Sequence, residues 1–195
     1  MICLGVDPDL HNTGWALVES GDSPVVLAVG VAKVSGRYKG TDAIVRMSKS
    51  FYSSVLISDL DDPDLVVVEG QEIYVGKSKA RHSDILSLAQ AAGVCLGLLA
   101  HCYPSLLPKP KEWKGEVPKQ THQSRVLQKL HGDWTWEKIG SQKDGYCNVT
   151  SAPSHLSTLN KTAWKHVIDA IGLACWGLSK GSRSASFRAQ TSDLK

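Results

Sequence analysis

The chain has 195 residues, of which 42% are hydrophobic and 21% are charged, and its net charge at pH 7 is +3. These values are typical of a single soluble domain that is long enough to bury a sizeable core. They argue against a membrane-spanning protein, because no apolar run approaches the roughly 20 residues that cross a bilayer. The N-terminus has neither a basic segment nor a small-residue cleavage site, so we expect no signal peptide and a cytoplasmic location.

Three strands are predicted at the start of the chain, over residues 2–6, 14–19 and 25–34. The loops between them are short, which favours antiparallel pairing. A helix over 41–58 follows, with apolar residues at helical spacing. Residues 65–68 are Leu-Val-Val-Val, the continuous apolar run of a strand buried on both faces. Because a helix precedes this fourth strand, it can run parallel to the first.

The second half predicts a helix over 84–101, a strand over 103–108, a helix over 120–131 and a final helix over 162–178. The whole order predicts an α/β fold: a mixed five-stranded sheet, with three antiparallel strands and then two parallel ones, and helices on both faces. We expect one domain at residues 1–178.

Four other segments are predicted to be irregular. Residues 71–82 read as a polar, mobile loop, and 109–119 as a basic loop with Trp113 exposed among lysines. Residues 132–160 form a long polar stretch of a kind that compact domains seldom keep without a use. Residues 179–195 read as a polar, basic and disordered tail.

The helix predicted over 84–101 is apolar nearly all round, so we expect it to be buried on more than one side. Gly93 and Gly97 lie four residues apart and would let another backbone come close. Packing against the sheet is the favoured use of these glycines, and a dimer contact is the alternative.

The five cysteines are odd in number and no two have the C-x-x-C spacing, so we expect reduced thiols, no disulfide and no zinc site. They are Cys3, Cys95, Cys102, Cys147 and Cys175.

Lysine and arginine are concentrated in three segments rather than spread evenly. Clustered positive charge suits a nucleic-acid backbone, although a basic surface is also common in proteins that bind no nucleic acid. The clusters are Lys77, Lys79 and Arg81; then Lys109, Lys111, Lys114, Lys119, Arg125 and Lys129; and finally Lys180, Arg183, Arg188 and Lys195.

Acidic residues follow two of the buried strands. Asp7 closes the first strand and Glu69 the fourth. If these strands are parallel neighbours, both carboxylates emerge at the sheet edge where open α/β folds bind ligands. A buried carboxylate is costly without a partner or a metal. The alternative is that Asp7 is a turn residue and Glu69 only marks the exit of its strand into solvent.

The last predicted helix adds two more candidates. His166 and Asp169 are three residues apart and therefore share a helix face. They could be a surface histidine and a salt-bridge member, but Asp169 lies inside the apolar run 167–174. Three carboxylates and an imidazole converge unfavourably unless a cation is bound. Carboxylate oxygens suit Mg²⁺ or Mn²⁺, and two such ions can promote phosphoryl displacement, which predicts a nuclease.

Four motifs, in order, resemble those of the RuvC-type Holliday-junction resolvases. They are Gly5-Val6-Asp7-Pro8 followed by Thr13-Gly14-Trp15-Ala16-Leu17-Val18; Val67-Val68-Glu69 followed by Tyr74; Leu88-Ala89-Gln90-Ala91-Ala92-Gly93; and His166-Val167-Ile168-Asp169-Ala170-Ile171. The resemblance implies an RNase H-like fold and a homodimer that nicks two symmetric strands of a four-way DNA junction with Mg²⁺ or Mn²⁺. It also implies that Asp7, Glu69, His166 and Asp169 are the metal-binding and catalytic set.

The resemblance and the basic clusters together predict residues that contact DNA. Tyr74 matches an aromatic position near the junction centre, where it could stack on a base, and Lys119 matches a basic position. The full predicted set is Tyr74, Lys77, Lys79, Arg81, Lys111, Lys114 and Lys119.

The chain also departs from the family pattern. Asp9 stands where the family usually has glycine, Glu72 is a second acid near the fourth strand, and the segments 70–84 and 132–160 are expanded. These features suggest a divergent branch of phage or prophage origin. Whether Asp9 or Glu72 assists the metal site is left open.

Three other functions fit parts of the sequence. An RNase H-like nuclease could act on flap or other branched DNA instead of junctions. A non-cleaving junction-binding protein could keep the same fold. Asp7 with the Thr13-Gly14 turn also resembles the first phosphate loop of actin-like ATPases and sugar kinases, but those proteins need a second glycine-rich loop and about twice the length.

Overall fold

A five-stranded sheet with the order β3-β2-β1-β4-β5 forms the centre of the fold. It is seen in a computed structural model that describes residues 1–56, 61–72, 82–138, 147–156, 159 and 161–192. The strands β1 to β3 are antiparallel, and β1, β4 and β5 are parallel, which confirms the predicted mixed sheet. The strands are β1 Ile2–Asp7, β2 Asn12–Glu19, β3 Val25–Lys33, β4 Leu65–Val68 and β5 Ser105–Leu106.

Helices cover both faces of this sheet, as predicted. The helix α5 packs along β1 and β2 on one face, with α3 and α4 beside it, while α1 and α2 cover the other face. The helices are α1 Gly40–Leu56, α2 His82–Leu99, α3 Pro110–Lys114, α4 Lys119–Leu127 and α5 Lys161–Ser192.

The two-residue period of a strand decides which side chains of β1 face α5. Leu4 and Val6 pack in the core shared with α1 and α2, whereas Cys3 packs in the core shared with α5. At Gly5 the sheet touches the helix backbone, because an added Cβ would overlap the carbonyl oxygen of Ala170. Asp7, two residues further, therefore lies on the α5 side.

The helix α2 is buried on one side only, so the expectation of burial on more than one side is wrong. Ala91 and Cys95 are fully buried, but Leu86 is 62% exposed. A Cβ added at Gly93 or Gly97 would meet no described atom within 4 Å. These glycines therefore do not pack closely against the sheet, because the buried stripe of α2 lies on its other side.

The basic segment after β5 is more ordered than predicted. Residues Pro110–Lys114 form α3, and Trp113 is only 7% exposed, so the expected exposure of this tryptophan is wrong. Its ring packs edge-on against His122, with 4.7 Å between ring centroids. Flanking lysines made the residue look solvated, but the partner that covers it comes from α4.

The stretch predicted to be irregular over 132–160 contains an antiparallel hairpin. Its strands are β6 Thr135–Lys138 and β7 Cys147–Ser151, and a short 3₁₀ helix follows at Ser154–Leu156. Trp134 packs edge-on against Trp164 of α5, with centroids 5.7 Å apart. The alternation in these strands is short and polar, so it carried little signal.

The final helix is longer than predicted. It continues to Ser192, so the predicted end at residue 178 is wrong. No proline interrupts residues 179–192, and nothing in the sequence forces the helix to stop. The division into a domain at 1–178 and a tail stays a prediction.

Two further observations bear on the sequence predictions. All five cysteines are free. No helix in the described part of the chain is both long and apolar enough to cross a membrane. The cytoplasmic location stays a prediction.

We expect Gly5→Ala to destabilise the protein by about 3 kcal/mol, because the new Cβ overlaps main-chain atoms that cannot move aside. Gly36→Ala is the matched control, since a Cβ there meets no described atom within 4 Å. Urea denaturation of both variants measures the difference. Equal stability of the two variants would show that β1 and α5 are not in backbone contact.

Candidate active site

The ends of β1 and β4 bring two carboxylates side by side. Val6 and Val68 are partners in the parallel pairing, so Asp7 and Glu69 follow directly at the same sheet edge. The backbone N–H of Glu69 donates to the carbonyl of Val6 at 3.0 Å. Both acidic residues are buried, with only 8% of each exposed.

The helix α5 adds an imidazole and a third carboxylate. His166 Nδ1 lies 3.0 Å from Asp7 Oδ2, and Asp169 is 3% exposed. This approach depends on Gly14 of β2, where a Cβ would lie 2.5 Å from the main chain of His166. Because glycine has no side chain at position 14, α5 can lie directly against β2. The four predicted site residues therefore lie in one cluster.

Two lysines that the sequence predicts to bind DNA contact these carboxylates. Lys119 Nζ lies 2.6 Å from Asp169 Oδ2, and Lys114 Nζ lies 3.0 Å from Glu69 Oε1. The indole of Trp113 donates to the same Glu69 oxygen at 3.0 Å. The short α3 and the start of α4 thus cover the carboxylate cluster with positive charge and one N–H donor.

Gln123, which the sequence analysis did not single out, holds Asp169 in place. This glutamine is fully buried, and its Nε2 donates to Asp169 Oδ1 at 3.0 Å. Its Oε1 accepts the backbone N–H of Cys147, at the start of β7, at 3.0 Å. Gln123 is four residues after Lys119 on α4 and shares its face, which is the signal that could have identified it.

Burial and mutual repulsion leave the three carboxylates with different proton affinities. Burial, reinforced by the charge of Asp7, raises the pKa of Glu69 to about 7. Burial also raises the pKa of Asp169, although the ammonium of Lys119 opposes the shift. Burial alone would raise the pKa of Asp7, but the hydrogen bond and charge of His166 bring it below its ordinary value. Burial is therefore the main reason that Glu69 and Asp169 ionise less readily than ordinary carboxyl groups.

The pKa of Lys119 responds to the same carboxylates. Burial would lower it, but the negative charges of Asp169 and Asp7 raise it above the usual range of a lysine. The ammonium is therefore held firmly in its charged form beside the carboxylates.

The donor set is chemically suited to a hard divalent cation. Asp7, Glu69 and Asp169 offer carboxylate oxygens, which Mg²⁺ and Mn²⁺ prefer, and the raised pKa values of two of them indicate that additional positive charge is favoured. Among the described residues, no group of three His, Cys, Asp or Glu side chains is already arranged as metal ligands. Lys114 and Lys119 occupy carboxylate oxygens that such an ion would use.

The two additional acids have different surroundings. The carboxylate of Asp9 accepts the backbone N–H groups of His11 and Asn12 at 2.8 and 2.9 Å, so it shapes the turn after β1. Glu72 has one buried carboxylate oxygen with no hydrogen-bond partner among the described residues. The structure thus gives Asp9 a role in the turn and leaves the role of Glu72 a prediction.

Of the other predicted DNA contacts, the structure describes Lys111. Lys111 forms an exposed ion pair with Glu116 at 3.2 Å. Four predicted positions lie outside the described residues, namely Tyr74, Lys77, Lys79 and Arg81.

Comparison with solved structures identifies the fold. RuvC from Thermus thermophilus in complex with a Holliday junction substrate aligns with a TM-score of 0.59 and 17% identity, over 90% of this chain and 92% of that chain. Another Thermus thermophilus RuvC structure aligns with a TM-score of 0.55 and 17% identity, over 93% and 97% of the two chains. The chain therefore has the RNase H-like fold in the form found in RuvC, as predicted. It matches no family model and no curated protein sequence.

We expect the stability of the metal-free protein to fall as pH rises from about 4.5 to about 7. In this window the folded protein keeps a proton on Glu69 that the unfolded chain has released, so rising pH favours unfolding. The contribution is about 3 kcal/mol. Urea denaturation across this range in a metal chelator should show a smaller fall for Glu69→Gln. The exposed control Glu116→Gln should show the same pH dependence of stability as the parent chain. If Glu69→Gln also showed it, the raised pKa assigned to Glu69 would be wrong.

We expect Gln123→Ala to destabilise the protein by about 2 kcal/mol, because it removes a buried amide that satisfies Asp169 and the backbone of Cys147. Gln128→Ala, an exposed glutamine immediately after α4, is the control and should be nearly neutral. Thermal unfolding compares them. Equal melting temperatures would show that Gln123 contributes no net hydrogen-bond energy.

Proposed function

We propose that this protein is an endodeoxyribonuclease that resolves four-way DNA junctions by paired symmetric nicks. The observation that carries the proposal is the buried cluster of Asp7, Glu69 and Asp169 with His166 at the carboxyl edge of β1 and β4. Proteins with open α/β sheets bind their ligands at the carboxyl ends of the strands. The fold likeness to RuvC, one structure of which holds a Holliday junction substrate, supports DNA junctions as the substrate.

The proposed cofactor is Mg²⁺, with Mn²⁺ as a substitute. Asp7, Glu69 and Asp169 would hold it, with His166 adjoining. A pair of such ions would supply an activated water and would neutralise charge on the phosphate oxygens. Binding requires the ammonium groups of Lys114 and Lys119 to leave their carboxylate oxygens, which frees them to contact DNA phosphates.

The other residues of the site have roles in this proposal that follow from their contacts. Asp7 orients the His166 ring through the 3.0 Å hydrogen bond at Nδ1, so the imidazole is placed to hold a proton near the attacking water. Trp113 keeps Glu69 directed into the cluster through its indole N–H. Gln123 keeps Asp169 from turning toward the core.

Symmetric nicking requires two active sites, so we propose a homodimer. The outward face of α2 supports this part of the proposal. Leu86 is exposed there, and Gly93 and Gly97 present bare backbone with no described atom within 4 Å of an added Cβ. An apolar helix face with accessible glycines allows a second helix to approach closely.

The test is cleavage of a synthetic four-way junction with Mg²⁺, beside a linear duplex and a flap. The parent chain should introduce paired symmetric nicks in the junction alone. Asp7→Asn should lower the cleavage rate at least a hundredfold and retain junction binding, because it removes charge from the metal-binding cluster without changing side-chain size. A metal chelator should abolish cleavage by the parent chain, and Mn²⁺ should restore it. Asp22→Asn, in the exposed loop after β2, is the matched control.

Each other outcome contradicts a particular part of the proposal. Binding without cleavage in either metal would indicate a junction-binding protein. Faster cleavage of the flap than of the junction would support a nuclease whose substrate is flap DNA. Undiminished cleavage by Asp7→Asn would show that Asp7 is not a catalytic residue.

A further inference from the structure

A pocket of about 300 Å³ lies between α3, α4 and α5, next to the carboxylate cluster. Along α5, Gly172 and Trp176 continue the helix face that carries Asp169, because their spacings of three and four residues keep them in line. Lys114 and Trp113 line the pocket and also contact Glu69, so the two regions share these side chains.

The pocket wall is positively charged. Lys114, Arg125 and Lys129 line it, and no aspartate or glutamate is found among the described residues that do so. Burial raises the pKa of the Cys175 thiol to about 11, so this lining group adds no negative charge at neutral pH. An anionic group is therefore favoured in the pocket.

The pocket also offers aromatic surface and hydrogen-bonding capacity. Trp113 and Trp176 line it, and Trp176 is only partly buried. Burial and the surrounding cations lower the pKa of His122 to about 4, so its ring is neutral, and its buried Nε2 has no hydrogen-bond partner among the described residues. Together these features suit a flat, polar, aromatic group.

Gly172 lets the rings of Trp113 and His122 pack directly against α5. A Cβ there would lie 2.8 Å from the Trp113 ring and 3.0 Å from His122 Nε2. The two rings thus form part of the pocket wall next to α5, and the volume of about 300 Å³ suits one small ligand unit rather than a longer segment.

We propose that the pocket binds one unpaired nucleotide of a DNA strand, with its base against Trp176 and its phosphate on Arg125 and Lys129. Bases stack on aromatic side chains with little regard to sequence, and phosphates add the charge that the wall attracts. The inference rests on the proposed function only in taking DNA as the ligand. It extends that function by assigning a site for a nucleotide that is not paired in the duplex arms.

The test is binding of labelled tetrathymidylate in a metal chelator, followed by fluorescence anisotropy. The comparison ligand is a tetramer of abasic residues with the same phosphates. Trp176→Ala should weaken tetrathymidylate binding about tenfold and leave abasic binding unchanged, because only the base stacks. Trp176→Phe should retain most of the affinity. Arg125→Gln should weaken both ligands severalfold, while Lys49→Gln on the opposite face of the sheet should weaken neither.

Several results would overturn the assignment. If Trp176→Ala lost affinity equally for both ligands, Trp176 would not stack on a base. The conservative Trp176→Phe variant shows whether a general packing defect causes the loss. Unchanged affinity of Arg125→Gln for both ligands would show that Arg125 does not contact the phosphate. Competition by thymidine monophosphate at an affinity equal to that of the tetramer would assign the pocket to free nucleotides instead of a strand. Because neither metal nor a junction is used, failure of junction cleavage leaves this test intact.

Discussion

Three buried carboxylates within one small volume are the constraint on which the rest of this structure depends. Asp7 and Glu69 are neighbours because β1 and β4 pair in parallel, and α5 can bring Asp169 to them because Gly5 and Gly14 allow its backbone to touch the sheet. Like charges at this proximity are costly in a poorly solvated site. The raised pKa values of Glu69 and Asp169 express this cost, which a bound cation or nearby ammonium groups can offset.

The elements after β5 provide that compensation. The short α3 contributes Lys114 and Trp113 to Glu69, and the first residue of α4, Lys119, pairs with Asp169. Gln123 then connects Asp169 to the hairpin through the backbone of Cys147. The expanded segment over 132–160 thus has a structural use, since its hairpin supports the helix that positions the third carboxylate.

The successes and errors of the sequence analysis have separable physical causes. The sheet was predictable because its strands are apolar runs bounded by turns, and the convergence of Asp7 and Glu69 followed from parallel pairing. The exposure assigned to Trp113 was wrong, since its partners belong to other elements: His122 lies on α4 and Glu69 follows β4. The burial assigned to α2 was wrong because composition indicates that a helix is apolar without showing which side another element covers. The roles of Asp7, Glu69, His166 and Asp169 remain predictions, although their proximity is observed.

By itself, the sequence determined the order and type of the main elements and the acids that close two of the strands. Local periodicity and strand-end position are properties of neighbouring residues, and they suffice for those conclusions. Only the tertiary structure decided that Lys114 and Lys119 lie on carboxylates, that Gln123 holds Asp169, and that a basic, aromatic pocket adjoins the site. Each of these depends on the packing of α3 and α4 against α5. Contacts between segments some 40 residues apart or more leave no periodic pattern in a single chain.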